Sequence, residues 1–413
     1  MSKFLALLIA ACCCLSGVAV FAQDAAVPNA ESAHAARLAR IQALRAQRPQ
    51  DGLLIFYEAM ARSDAGQREA ALDLLRSLRG RRLGLLPTQG IGFDALWADA
   101  EFQRVRQDLI DDEPRSAQAP VALALTDARL IPEGVAHDAR SGRFFLGSLP
   151  GHKVVVVSRG GKLSDFSRPT DELDAVLGLA VDERGRRLCG VSTNGFEASG
   201  KAQRRNAVVC WDLRTASRLA RHDIPAARQL NDLAFAPDGS IVVSDSEEGS
   251  LWRLRRGDAA FSLLGARGAL PGANGVAVAP DGAIFVTLST GIARVDPADG
   301  RVRRIDQPDD VVSGGIDGLY WWRGRLIGVQ NTPNPGRVIE LQLDASGQSI
   351  AGMRVLQSHH HPEFDEPTTG ALVGDTFYVL ANSYVTRYQP DGSIQGKPQP
   401  MKGTRLLRIE LQR

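Results

Sequence analysis

Aromatic side chains are scarce in this chain, at 6% of 413 residues, and it holds only five cysteines and four methionines. Charge imbalance is also missing: the formal net charge is +2, which gives no footprint for nucleic acid or an anionic surface. No G-x-S-x-G element occurs, which removes the usual serine-hydrolase nucleophile. Beyond the first residues no apolar run is long enough to span a bilayer. What is abundant is glycine, 41 residues without a collagen period, which indicates many turns.

The start, "MSKFLALLIAACCCLSGVAVFAQDAA", has Lys3, an apolar run from Phe4 to about Val20, and Val20-Phe21-Ala22 as a cleavage site. It reads as a secretory signal peptide over residues 1–22, with a soluble, periplasmic product. The alternatives are a membrane anchor and a lipoprotein box at Ile9-Ala10-Ala11-Cys12. Three cysteines, Cys12 to Cys14, leave with the signal. The other two, Cys189 and Cys210, lie in successive apolar segments, either as a disulfide or as two buried thiols.

Residues 23–35 are polar and Ala-rich and read as a flexible lead. Residues 36–112 carry helical periodicity. Leu53, Phe56, Tyr57 and Met60 form one apolar stripe, and after Gly66, Ala70, Leu72, Leu74, Leu75 and Leu78 form another. This resembles a single tetratricopeptide-type hairpin, with a third helix expected near "FDALWADAEFQRVRQDL". One hairpin cannot bury both faces, so it packs on the rest of the chain or offers a groove to a protein partner. Residues 113–120 read as a linker.

Residues 121–413 have another texture. A polar start, a short strand, a turn and a second strand recur six times. The copies begin at Glu133, Leu177, Asn231, Asn274, Asp317 and Thr369, spaced 43 to 54 residues apart, and each is followed by further β-like sequence. About four strands per repeat, six times, predicts an all-β six-bladed β-propeller behind a small α-helical region. The first strand, "VALALTDARL", and the last, "TRLLRIEL", are expected to share one blade and so remove exposed edges.

The first strand of each blade lines the channel, so the six starts should form a ring at one mouth. Five of them carry side-chain oxygen, two as carboxylates, and none is Cys or His. That donor set suits a hard cation. The competing explanation is that Asn, Asp and Thr simply cap turns, though Glu133 fits that poorly.

The propeller resembles the senescence marker protein/gluconolactonase family, which includes regucalcin. The residues that carry the resemblance are Glu133-Gly134, Asn231-Asp232, Asn274-Gly275 and Asp317-Gly318. "IDGLY" and "FDEPTTG" resemble a bacterial subgroup. The resemblance implies a metal-dependent lactonase. Glu133, Asn274 and Asp317 would hold one divalent cation, Ca²⁺ foremost, with Mn²⁺, Mg²⁺ or Zn²⁺ as alternatives. Asp317 would also act as catalytic base, and Asn231 and Asp232 would contact substrate. Gln229 stands where such enzymes often place Arg, with Arg228 expected on the other face of an extended segment.

Glu366 and Thr368, in "SHHHPEFDEPTTG", are expected to line the pocket with Thr369. His359 to His361 are expected to be solvated, with metal binding as the alternative, and Gln330 and Asn331 to lie far from the mouth. The implied function is hydrolysis of a lactone or related cyclic ester. The alternative is a non-catalytic propeller that binds a small ligand or an envelope protein, with the helical region as the interaction module.

Overall fold

In the computed structural model, residues 30–196, 203–332, 335–396 and 400–412 are described. The expected signal peptide, residues 1–22, lies outside them, as does 23–29. No helix among the described residues is long and apolar enough to cross a membrane.

Six four-stranded antiparallel sheets follow one another along the chain. Their innermost strands are Val135–Asp138, Ala175–Asp182, Leu230–Phe235, Val276–Val278, Ile316–Trp322 and Gly370–Val373. Blade six takes its outermost strand, Val121–Ala124, from the start of the propeller and pairs it with Arg405–Glu410 from the end. The ends therefore share one blade, as the sequence predicts.

The strands are apolar on both faces because each blade lies between two others. In Ile241–Asp245, Ile241 and Val243 join a cluster with Leu177, Cys189 and Val191 of blade two. Val242 between them joins Val276, Ile284 and Val286 of blade four. The period-two alternation of a strand thus sends successive side chains to successive neighbours. Cys189 and Cys210 face each other on adjacent strands of blade two and are joined as a disulfide, which resolves the alternative left open above.

The helical region comprises α1 (Ala30–Gln47), α2 (Gly52–Asp64), α3 (Arg68–Arg76) and α4 (Ala100–Asp112). α1 begins inside the stretch read as a flexible lead, so only residues 23–29 of that stretch remain outside a helix or the described residues. Asp51 caps α2 by accepting from the Leu54 N–H, and Asp99 caps α4 by accepting from Glu101 and Phe102. α2 is buried all round, because α1 and α3 cover one side and the propeller the other. Its Tyr57 hydroxyl donates to the Ser289 carbonyl of blade four. Val312, in the loop before blade five, belongs to the same apolar cluster as Leu53, Phe56 and Leu83. The hairpin therefore packs on the propeller.

Residues 113–120, expected as a linker, are pinned against blade five. The Ser116 hydroxyl donates to the Leu356 carbonyl at 2.7 Å, and the Ala119 N–H donates to Gln357 at 3.1 Å.

Candidate functional site

A ring residue stands near the start of each inner strand, and the residue after it is glycine in five blades: Gly134, Gly178, Gly275, Gly318 and Gly370. The reason is crowding at the axis. A Cβ on Gly134, Gly178 or Gly275 would lie closer than 3.0 Å to the backbone oxygen of the next blade's ring residue, namely Leu177, Asn231 or Asp317. Blades two, three and five also bulge here. Between Leu230 and Leu233, for instance, two residues oppose one on the partner strand, and the same occurs at 177–178 and 317–318. Such bulges re-aim side chains.

Blade three alone replaces the glycine with a side chain, Asp232. Gly178 of the preceding blade leaves room for it, since a Cβ there would lie 2.7 Å from Asp232 Oδ1. The next blade supplies a donor, the Val276 N–H to Oδ2 at 3.0 Å, and its own strand a second, the Leu233 N–H to Oδ1 at 2.8 Å. Asn231 is buried beside it and donates to Ser246 Oγ at 3.0 Å.

The ring brings Glu133, Asp232 and Asp317 near enough to sense one another's charge. Glu133 is 5% exposed and Asp317 is 9% exposed. Burial, then the charges of Asp317 and Asp232, push the Glu133 carboxyl well above the usual range. Burial raises Asp317 to about 6, against the pull of hydrogen bonds from Asn331 and Asn274. Asp232 is pushed up to about 7, again chiefly by burial. Glu133 Oε2 is buried and has no hydrogen-bond partner.

These are groups whose charged forms lack a counter-charge, an environment that a cation would relieve. Among the described residues, no three His, Cys, Asp or Glu side chains cluster as a metal site by themselves. A set drawn from Glu133, Asp317 and Asn274 therefore needs the amide oxygen as its third donor. Asn274 is half-buried and hydrogen-bonds Asp317, so it is in place for that.

The remaining expected site residues are less uniform. Thr369 is at the ring, but its hydroxyl donates to the Glu133 carbonyl and straps blade six to blade one. Gln229 is half-buried beside Gly195, and its N–H donates to Asp245. The Arg228 guanidinium is held by Glu247 at 2.9 Å.

Three expectations are corrected. The Glu366 carboxylate accepts from the Thr386 N–H at 3.0 Å and hydroxyl at 2.9 Å, so it holds the turn at Val385–Arg387 instead of lining the pocket. His361, expected in solvent, is 5% exposed, with Nε2 2.9 Å from the Ala119 carbonyl. Asn331, expected far away, donates to Asp317 Oδ2 at 2.7 Å. The second strand runs antiparallel to the first, so its end returns to the mouth where the first began.

Tyr320 was not foreseen either. Its hydroxyl oxygen accepts from the Gly370 N–H at 2.7 Å, and burial near Asp232 raises its pKa strongly. Past the ring, the inner strands enclose a chamber of about 520 Å³ whose lining includes Asp232, Tyr320, Thr369, Leu179 and Leu233.

No family model matches the chain, and no curated protein matches it. Similar solved structures include the PQQ-bound aldose sugar dehydrogenase of Streptomyces coelicolor, 14% identical over 72% of this chain and 99% of that one, TM-score 0.49. A gluconolactonase of Xanthomonas campestris is 18% identical over 72% and 97%, TM-score 0.46. The calcium-binding protein regucalcin of Agrobacterium tumefaciens is 15% identical over 71% and 96%, TM-score 0.48. Similarity at this level carries no conclusion about chemistry, which rests on the ring itself.

Proposed function

We propose that the chain is a divalent-cation-dependent hydrolase of the gluconolactonase type, acting on a lactone or related cyclic ester in the propeller channel. One observation carries this: three carboxylates crowd the axis, raised by burial, and Glu133 keeps a buried oxygen without a partner. Glu133, Asn274 and Asp317 would hold the cation, and their oxygen donors favour Ca²⁺, with Mn²⁺, Mg²⁺ or Zn²⁺ as alternatives. When bound, such an ion polarises an ester carbonyl and steadies the oxyanion that develops on it.

The chain's own groups supply the rest. Asp317, the ring carboxylate that Asn331 and Asn274 hold in place, would take the proton of the attacking water. Asn331 fixes the orientation of that carboxylate. Asn231 and Asp232 would orient the ring oxygens of the ester. The chamber's volume suits a small ligand.

The test is a lactone and ester panel run with each cation separately. Turnover should vanish with chelator and fall about 10²- to 10⁴-fold in Asp317→Ala. Cation binding with no turnover across the panel would sink the hydrolase and leave the second reading, a ligand-binding propeller. What favours that reading is the commitment of Arg228 to Glu247 and the presence of Gln229 where an Arg would bind a sugar acid.

A location outside the cytoplasm would fit the signal peptide expected over residues 1–22 and the Cys189–Cys210 disulfide. Use of the helical region to recruit a protein partner is less favoured, since α2 gives its faces to its neighbours and the propeller.

A further inference from the structure

A continuous chain of contacts runs from the helical region to the carboxylate ring. Glu113, at the end of α4, is 3% exposed and lies 3.5 Å from Nη1 of Arg337, itself 1% exposed. The pair fits only because residue 84 is glycine: a Cβ there would come closer than 3.0 Å to Arg337 Nη1 and Glu113 Oε2. Arg337 Nε donates to Gln330 Oε1 at 2.7 Å. Gln330, fully buried, turns its amide nitrogen to the carbonyls of Val312 and Gly314 in the loop that leads to Asp317. From the other side that loop is pressed by Leu53 of α2, so closely that Gly314 has no room for a Cβ. The residue after Gln330 is Asn331, whose amide donates to Asp317 Oδ2 and to the Pro367 carbonyl.

We infer that the helical region is a working part of the ring: Glu113, acting through Arg337 and Gln330, is a positioning residue that sets Asn331 and Asp317. The inference rests on the proposed function for what the ring does, but the positioning itself is a separate physical claim. A buried ion pair is an expensive way to join two regions. Here it orients the guanidinium so that Nε meets Gln330, and Gln330 then fixes both the approach to Asp317 and the strand end that carries Asn331. Residues that orient a ligating carboxylate typically change metal affinity by roughly 10- to 100-fold when replaced.

The experiment reads the full-length protein in two ways. One is Mn²⁺ affinity by calorimetry, and the other is the side-chain amide resonance of Asn331 in a ¹H–¹⁵N spectrum. Glu113→Gln should shift that resonance and weaken Mn²⁺ roughly 10-fold or more. The paired variant Glu113→Met/Arg337→Met removes both buried charges, so it should fold even where the single change does not, and it should do the same. Glu58→Gln is the control, since Glu58 pairs with Arg45 of α1 and with Arg62 of its own helix, outside the Glu113–Arg337–Gln330 chain. It should lower the melting temperature without moving either readout. An Asn331 resonance and Mn²⁺ affinity unchanged in both Glu113 variants, or moved equally by Glu58→Gln, would overturn the inference. If the wild-type protein binds no Mn²⁺, the cation proposal fails and the Asn331 resonance alone decides the positioning.

Discussion

Asp232 occupies the one place on the axis where a blade exchanges glycine for a charged side chain. Its carboxyl is raised to about 7 from an ordinary 3.8, so the folded state holds the proton more tightly than the unfolded chain does. Stability attached to this group is therefore present at low pH and lost as pH rises from about 4 through about 7. In chelator, the wild-type melting temperature should drop across that window relative to Asp232→Asn, and added Mn²⁺ should reduce the difference. Parallel curves for the two proteins would show that the carboxyl is not raised.

At this scale the sequence was informative where the repeat repeats. The places of Glu133, Asn231, Asn274, Asp317 and Thr369 around the axis are legible because six copies align. Asn331 and Ser246 were hidden, because their roles come from the return of the second strand, which only the antiparallel register makes plain. Glu366 misled because a left-handed backbone, φ +68°, turns its side chain toward Thr386.

Among elements, the inner strands are held together at their starts by the absence of side chains. Gly275→Ala would push a methyl against the Asp317 carbonyl. Overpacking of this kind costs about 1–3 kcal/mol, which should appear in chemical denaturation. It should also weaken cation binding, since the displaced backbone carries Asp317. A substitution that leaves both unchanged would mean that the blades can slide apart at the axis.

The strand pairs next to the axis were readable from alternation and turns. The outer strands are legible only as further β-like sequence after each copy: Leu163–Asp165 and Val302–Arg304 have three residues each and are partly exposed, so no apolar signature fixes their bounds. The start of α1 is not legible because "AESAHAARLAR" is Ala-rich and polar, with no apolar stripe to mark a helix.

As a whole, the molecule is two sequence textures with one continuous support. Residues 113–120 are hydrogen-bonded to blade five, and the helical core includes Val312 of the propeller. Calorimetry should therefore show one cooperative transition for the whole chain, not two. Trypsin should fail to separate the regions at Arg115 despite its exposed side chain, because Glu113 and Ser116 on either side are held. Early cleavage there, or a second thermal transition, would mean that the regions are independent. Packing of the hairpin on the rest of the chain is one of the two alternatives the sequence offers, but the held course of residues 113–120 is not legible, since a Pro- and Ala-containing stretch between two textures looks like any linker.

The shared sixth blade also gives the molecule a clock. Arg405 reaches back to the Leu125 carbonyl across 280 positions, and the strand beside it has no other partner sheet. During synthesis, then, Val121–Ala124 waits through five completed blades for a strand that is made last, and chain closure over such a separation is slow. A ribosome that stops early leaves an open ring with a bare edge, recognisable to a protease.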